Sequence, residues 1–228
     1  MGQGSAAESD QFRASLKPQG PISDWADLLT PEQETELNTR IEALKATNGA
    51  ELAVVTIKSL QGGEIDDFAS KLFAQWGIGQ KGKDNGVLLL TAVDDRKMRI
   101  EVGYGMEGIL PDAKTGRIQD EYIVPRFKEG NYSQGLLDGA DILLNVMGGA
   151  ELPEPVVAEM NPIAALVFLV FFVAFFLFIV RAAIRGNRGG GSGGSLSSGW
   201  KSGGSSGGGG FGGFGGGSSG GGGSSRSW

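Results

Sequence analysis

The stretch 77–113 constrains the fold of this chain more than any other part of its sequence. A glycine-rich polar loop leads into residues 87–93, a Val- and Leu-rich segment without charge, which predicts a strand buried on both faces. The polar break at 94–96 has the length of a hairpin turn. Residues 97–102 then alternate apolar and charged side chains, which predicts a second strand with Arg99 and Glu101 on a solvent-exposed face.

A hairpin of this kind predicts where a functional site would lie. Antiparallel pairing brings the start of the first strand beside the end of the second. The loop before the first strand carries Asp84 and Asn85, and the loop after the second carries Glu107 and Asp112. We therefore expect three carboxylates and one carboxamide to meet at this end of the sheet, in glycine-rich backbone.

The absence of Cys and His limits the chemistry of the chain. It removes disulfides, thiolate and imidazole catalysis, and nearly all zinc or haem sites. A bound metal would need oxygen ligands, which suits calcium, magnesium or manganese. Fifteen of the 20 basic residues and all 26 acidic residues lie in the first 160 positions, so this part has a net charge of −11. That charge argues against nucleic-acid binding and favours the attraction of cations.

A capping box predicts the start of a helix ahead of the hairpin. Thr30 can cap the helix, Pro31 suits its first position, and Gln33 can complete the box. The Asn-Gly pair at 48–49 is expected to end this helix.

Periodicity predicts the remaining elements of the α/β fold. They are a strand over 51–57 and helices over 65–76, 111–124 and 136–147. Pro125 is expected to stop the helix over 111–124. The order helix, strand, helix, strand, strand, helix, helix predicts a three-layer-like sandwich with a small mixed sheet flanked by helices.

Composition predicts segments outside the α/β domain, which is assigned to 18–149. Residues 1–17 are expected to be disordered, 150–161 to form a linker, and the Gly- and Ser-rich stretch 185–228 to form a disordered tail. Aromatic residues interrupt that tail and are either part of the disorder or contacts for a partner or a membrane surface. They are Trp200, Phe211, Phe214 and Trp228.

An apolar run predicts one transmembrane helix over 162–184. Residues 163–180 carry no polar side chain, and Arg181 follows them directly. Arginines on the C-terminal flank and glutamates on the other flank predict a cytoplasmic tail and an extracytoplasmic α/β domain. Residues 1–17 lack the pattern of a signal peptide. Either the sequence is a mature or truncated form from which a signal peptide is missing, which we favour, or the domain stays inside.

Four motifs follow one another in the α/β domain: Trp76-Gly-Ile-Gly, Asp84-Asn-Gly-Val-Leu-Leu, the stretch 95–107 and Leu110-Pro-Asp112. Their order and spacing resemble the TPM domain family, which is named for a thylakoid lumen protein, a photosystem II repair protein and a nicotinic-receptor modulator. The likeness extends over about 22–147. The Gly-rich tail behind one membrane helix looks like the bacterial membrane-anchored subgroup, whose members usually begin with a signal peptide.

The resemblance implies three kinds of activity. Some members of the family are credited with acid phosphatase activity, others with calcium binding, and others with the assembly or repair of membrane complexes. It also implies that Asp84, Glu107 and Asp112 form the site. Pro111 stands where the family commonly has Thr, and the lost hydroxyl would weaken a site there.

The first functional hypothesis is a membrane-tethered interaction module that binds calcium, or magnesium, and works with other membrane proteins. Asp84, Asn85, Glu107 and Asp112 would supply side-chain oxygens, and neighbouring glycines would let backbone carbonyls approach. The alternative for residues 84–86 is an ordinary turn, because Asp, Asn and Gly are common turn residues.

The second functional hypothesis is a metal-assisted acid phosphatase that acts on phosphomonoesters. Without His or Cys, Asp84 would be the nucleophile or a metal ligand. The phosphate oxygens would be held by Lys81, Lys83 or Arg99.

Overall fold

The computed structural model describes residues 6–153 and 222–228. The helices and strands are, in chain order, α1 (Ala6–Ser15), β1 (Ile22–Asp24), α2 (Pro31–Asn48), β2 (Glu51–Ile57), α3 (Ile65–Trp76), β3 (Gly86–Ala92), β4 (Lys97–Val102), α4 (Asp112–Ile118), α5 (Val124–Lys128), α6 (Tyr132–Met147) and β5 (Gly222–Ser227). A 3₁₀ turn at Tyr104–Met106 follows β4, and a π-helical turn at Gln119–Ile123 joins α4 to α5.

The strands form one mixed sheet in the order β1-β2-β3-β4-β5. The pairs β1–β2 and β2–β3 are parallel, whereas β3–β4 and β4–β5 are antiparallel. Every residue of β3 is buried, as its uncharged sequence predicts. The predicted α/β class, with a mixed sheet flanked by helices, is confirmed.

Alternation along the strands divides the core into two layers, one on each face of the sheet. Val54 and Leu89 pack on the side of α2 and α6, whereas Val55 and Leu90 pack on the side of α1 and α3. Helices therefore cover both faces, and strands β2 and β3 carry apolar side chains on both sides. The loop before β3 and the turn after β4 lie at one end of this three-layer arrangement.

The boundaries of α2 follow the predicted capping box. The Thr30 hydroxyl accepts a hydrogen bond from the Gln33 amide, and the Gln33 side chain accepts one from the Thr30 amide. Gly49 ends the helix with a φ of 78°, a conformation that a residue without Cβ adopts at little cost. The capping box and the Asn-Gly stop are both confirmed.

The predicted disorder of residues 1–17 is wrong for the part that the structure describes, because residues 6–15 form α1. This helix packs against α3 through Phe12 and Phe68, whose ring centroids lie 6.1 Å apart. The Lys71 ammonium also lies 3.1 Å from a carboxylate oxygen of Asp10. The helix is mostly polar, so few apolar positions mark it in the sequence, but Leu16 just beyond it is buried.

Pro125 does not stop the helical segment that precedes it, which corrects the prediction. It lies in the first turn of α5, where its missing N–H needs no helical partner. The preceding turn is π-helical, with the Val124 amide donating to the Gln119 carbonyl. A π-helical turn is wider than an α-helical one, which relieves the clash between the proline ring and the carbonyl group one turn earlier.

The prediction of a disordered tail over 185–228 is corrected at its last residues. Residues 222–227 form β5, which pairs with β4 from Lys97 opposite Ser227 to Val102 opposite Gly222. Strand addition to a sheet edge uses backbone hydrogen bonds, which a Gly- and Ser-rich segment supplies as well as any other. Trp228 then packs beside the partly buried Tyr132 in the core layer of α2 and α6.

The predicted transmembrane helix at 162–184 lies outside the described residues. Within residues 6–153 and 222–228, no helix combines the length and the apolar content that crossing a membrane requires. The linker predicted over 150–161 is described only as far as residue 153, and Leu152 in that part is buried against the core.

Candidate functional site

The loop before β3 and the turn after β4 meet at the open end of the hairpin, as antiparallel pairing predicts. The Gly103 amide donates to the Gly86 carbonyl at 2.8 Å, and the Gly105 amide donates to the Asp84 carbonyl at 3.0 Å. The loop before β3 and the turn after β4 are thereby joined through their backbones.

This contact requires glycine in the turn after β4. A Cβ atom on Gly103 would lie 2.3 Å from the Asp84 carbonyl oxygen, and one on Gly105 would lie 1.9 Å from the Lys83 carbonyl oxygen. Both obstacles are backbone atoms, so no side-chain rotation could relieve them. Gly103 and Gly105 therefore allow the backbones of the two loops to approach each other. That glycines of this turn let carbonyls approach a metal ion stays a prediction.

Asn85 is a structural residue in this arrangement. The residue is only 8% exposed. The side-chain oxygen accepts from the Gln80 amide at 2.9 Å, and the side-chain nitrogen donates to the Gly49 carbonyl at 2.8 Å. Asn85 thus ties its own loop to the end of α2, and its amide group faces the protein.

Asp84 has a constrained backbone and an exposed side chain. Its φ of 48° lies in the left-handed region, which Asp adopts more readily than most residues. Its amide donates to the Gln80 carbonyl at 2.9 Å, which closes a tight turn. Its carboxylate forms no hydrogen bond or ion pair with another described residue and is available to solvent.

Glu107 and Asp112 both lie against β5. Asp112 accepts a hydrogen bond from the Gly223 amide through a carboxylate oxygen at 2.7 Å. A Cβ atom on Gly222 would lie 2.9 Å from a carboxylate oxygen of Glu107. Two of the predicted site residues therefore line the start of β5.

The four predicted ligands do not form a closed metal cage in this arrangement. Within residues 6–153 and 222–228, no three Asp, Glu, His or Cys side chains are grouped closely enough to hold a metal ion. Asn85 is occupied by two protein hydrogen bonds, and Asp112 holds β5. Of the predicted ligands, Asp84 and Glu107 remain without a side-chain hydrogen bond to another described residue; Asp84 is exposed and Glu107 is half-buried.

Two large apolar side chains stand exposed in the turn that carries Glu107. Tyr104 is 69% exposed and Ile109 is 39% exposed, and in the described part of the chain no other large apolar residue reaches that level. Buried Met106 and Leu110 anchor the same turn. The end of the sheet therefore combines acidic and apolar exposed groups on a backbone held in place from below.

A cleft of about 370 Å³ lies beside the Asn85 loop, between α2 and the end of α3. Glu51 on its wall forms an ion pair with Lys45 at 3.0 Å. The other carboxylate oxygen of Glu51 accepts from the Gly79 amide at 2.8 Å. Lys45 and Glu51 are thus engaged with each other, and Glu51 also with the loop.

Glu101 is buried, which corrects its predicted place on an exposed strand face. Its side chain is 1% exposed, since α3 covers this face of β4 and β5 pairs along its outer edge. Arg99 donates to Glu101 and, at 3.0 Å, to Asp66 of α3. The alternation in β4 could not indicate that a helix with acidic residues would pack over its charged side.

Burial raises the pKa of Glu101, and Arg99 opposes that shift. The ionised carboxylate is therefore less favourable in the folded chain than in the unfolded chain. As the pH falls from about 7.5 towards the ordinary glutamate pKa of 4.5, we expect the wild type to gain stability relative to the Glu101→Gln variant. Urea unfolding of both proteins across this range measures the difference. The expectation is contradicted if the free energy of unfolding of the wild type, minus that of the variant, stays constant or decreases as the pH falls.

Arg99 is also unavailable for the phosphate-binding role considered from the sequence. Its guanidinium is committed to Glu101 and Asp66. Lys81 and Lys83 are exposed on the Asp84 loop. Of the three basic residues considered for phosphate binding, only these two lysines remain near the candidate site.

A comparison with protein families identifies one family. A family model described as TPM domain matches residues 22–146, which is more than half of the chain. A search of curated proteins found no match.

Solved structures similar to the chain include three bacterial domains studied by NMR. The N-terminal domain of a Porphyromonas protein, from P. gingivalis, is 40% identical with a TM-score of 0.54, and the match covers 57% of this chain and 82% of that one. The BA42 protein from Bizionia argentinensis is 24% identical with a TM-score of 0.47, covering 55% and 85%. The N-terminal domain of a Corynebacterium glutamicum protein is 15% identical with a TM-score of 0.43, covering 62% and 93%.

Proposed function

Because the chain belongs to the TPM domain family, we propose that it is an interaction module that binds a divalent cation, of the calcium class, at the loop end of its sheet. The observation that carries this proposal is the exposure of Tyr104 and Ile109 on the same turn as Glu107. Exposed apolar groups beside acidic ones suit a protein surface that contacts a partner.

The donor set suits a weak, open cation site. Asp84 and Glu107 offer carboxylate oxygens, and calcium accepts backbone carbonyls and water as further ligands. Such sites in extracellular modules have dissociation constants of about 10⁻⁴–10⁻³ M. Asp112 accepts a hydrogen bond from the Gly223 amide at 2.7 Å, so the proposed site rests on Asp84 and Glu107.

The partner class that we propose is a membrane protein, as the apolar run 163–180 predicts attachment to a membrane. The loop end of the sheet would supply the contact surface through Tyr104 and Ile109. A phosphatase is less well supported, because Arg99 is held by two carboxylates and the exposed lysines of the loop are the remaining candidates for phosphate.

Thermal melting of the full chain in detergent, with and without calcium, tests the cation site. At a calcium concentration about ten times the dissociation constant, binding stabilises the folded state by about 1.4 kcal/mol, or roughly 3–6 °C for a domain of this size. We expect this shift in the wild type and its loss in Asp84→Asn and Glu107→Gln. Magnesium should give a smaller shift, because it requires stricter octahedral geometry.

Asp94→Asn is the matched control for this measurement. Asp94 is exposed in the hairpin turn at the opposite end of β3 and β4, so its loss should leave the calcium shift intact. The cation proposal fails if the wild type shows no shift, or if Asp84→Asn and Asp94→Asn behave alike.

A further inference from the structure

Side chains as well as the backbone hold the segment 222–228 on the domain. The Trp228 ring lies edge-on to Phe127 with centroids 4.6 Å apart, and its centroid is 6.1 Å from that of Tyr132. The Arg226 guanidinium donates to both carboxylate oxygens of Asp120, at 2.7 and 2.9 Å. Such a two-pronged pair is directional as well as attractive.

The surface formed by α4 and the π-helical turn after it fits these groups. Ser224 donates to Thr115 or Gln119, each at 2.9 Å, and Gln119 donates to the Ser224 carbonyl at 3.0 Å. A Cβ atom on Gly116 would lie 2.7 Å from the Arg226 guanidinium. Glycine inside a helix costs about 1 kcal/mol relative to alanine, and here it leaves the passage that the arginine occupies.

Close contacts also restrict which residues fit at positions 222 and 223. A Cβ atom on Gly223 would lie 2.0 Å from the Ile100 carbonyl oxygen, and the residue has a φ of 142°. A Cβ atom on Gly222 would lie 2.9 Å from Glu107. Two glycines, a serine, an arginine and a tryptophan are thus each matched to a particular feature of the surface.

We propose that this surface is a peptide-docking site that also accepts residues 222–228 of a second copy of this chain, because the glycines, Ser224, Arg226 and Trp228 of that segment are the groups that the surface fits. We call it the β5 groove. It comprises the outer edge of β4 together with Thr115, Gly116, Gln119, Asp120 and Phe127. Recognition combines strand addition to β4 with an acidic contact for arginine and an aromatic contact for tryptophan. The proposal does not rest on cation binding.

The segment can exchange because it lies at the edge of the sheet and is mostly only partly buried. Residues 222–226 and Trp228 are only partly buried, and Ser227 is exposed. Strands β2, β3 and β4 carry the fully buried side chains on both faces of the sheet. Local opening at an edge strand therefore costs much less free energy than global unfolding.

Removing the side chains of Arg226 and Trp228 should free the β5 groove so that a separate peptide can bind there. We call the full-length Arg226→Ala/Trp228→Ala variant the anchorless chain, and the probe is a fluorescent synthetic peptide with the sequence of residues 222–228. Fluorescence anisotropy should show that the peptide binds the anchorless chain at least tenfold more tightly than the wild type. In the wild type, the attached segment competes at a local concentration in the millimolar range. Replacing Trp228 in the peptide by alanine should weaken its binding at least tenfold.

Charge exchange tests whether the peptide binds in the observed register. Adding Asp120→Arg to the anchorless chain should abolish binding of the original peptide and restore binding of a peptide with Arg226→Asp. A general loss of folding cannot produce that restoration. Where the anchorless chain is poorly folded by circular dichroism, the single variant Trp228→Ala replaces it.

Two results would overturn the docking site. One is peptide binding to the anchorless chain that is no tighter than binding to the wild type. The other is binding that Asp120→Arg leaves unchanged, which would place the peptide elsewhere. Loss of calcium binding at Asp84 would leave all these outcomes unaffected, so the two proposals fail separately.

Discussion

Replacement of Gly105 by alanine should destabilise the domain by about 3 kcal/mol or more and disconnect the two loops of the candidate site. The added Cβ would lie 1.9 Å from the Lys83 carbonyl oxygen, and that oxygen belongs to the backbone. Overpacking of this kind usually costs about 1–3 kcal/mol, and the cost is greater where no side chain can turn aside. The hydrogen bond from the Gly105 amide to the Asp84 carbonyl should be lost as well.

Gly108→Ala is the matched control for that substitution. Gly108 lies in the same turn, has no atom within 4 Å of its would-be Cβ and has no positive φ. Its replacement should change the free energy of unfolding by less than about 0.5 kcal/mol. Urea denaturation of both variants measures the contrast. Equal stabilities for the two variants would mean that the loops are not in the contact described.

Local patterns in the sequence predicted many of the helices and strands. Helix α3 buries Ile65, Phe68 and Leu72 at the spacing that marks one helical face. The hairpin of β3 and β4 was predicted from two runs and a short polar break, and it alone places the Asp84 loop beside the turn after β4. Predictions of this kind succeed because the pattern and the structure involve the same few neighbouring residues.

The properties that could not be predicted depend on residues distant in the sequence. Glu101 looks like an exposed strand residue until α3 covers it. Asn85 looks like a metal ligand or a turn residue, and its actual role depends on the Gly49 carbonyl at the end of α2. Composition predicted disorder for residues 222–228, because it cannot indicate that an edge strand far away in the sequence offers hydrogen bonds.

The paired strand β5 bears on the predicted membrane topology. With the domain outside and the tail in the cytoplasm, residues 222–228 would be on the opposite side of the membrane from β4. A strand on that side cannot pair with the sheet. One molecule therefore cannot have the predicted topology and the β4–β5 pairing at the same time. Localisation at the membrane remains a prediction from the apolar run at 163–180.

Replacement of Trp228 by alanine should release β5 from the sheet far more often than in the wild type. The variant loses the contacts of the indole ring with Phe127 and Tyr132. We expect a cost of about 2 kcal/mol, below the 3–5 kcal/mol of a fully buried aromatic residue, because Trp228 is only partly buried. That cost corresponds to roughly thirty-fold more frequent opening of the strand.

The ladder identifies the amides that report this opening. Trp228 donates its amide to the Arg96 carbonyl, and Gly103 donates to Gly86 on the other side of β4. Alternation in antiparallel pairs then directs the amides of Met98, Ile100 and Val102 towards β5, and the amides between them towards β3.

Amide hydrogen exchange of β4, resolved by residue in the full chain, tests most directly the claim that residues 222–228 complete the sheet. The wild type should protect Met98, Ile100 and Val102, and Trp228→Ala should speed their exchange roughly thirty-fold while Arg99 and Glu101 stay protected. Rapid exchange of Met98, Ile100 and Val102 in the wild type, unchanged by Trp228→Ala, would show that β5 does not pair with β4.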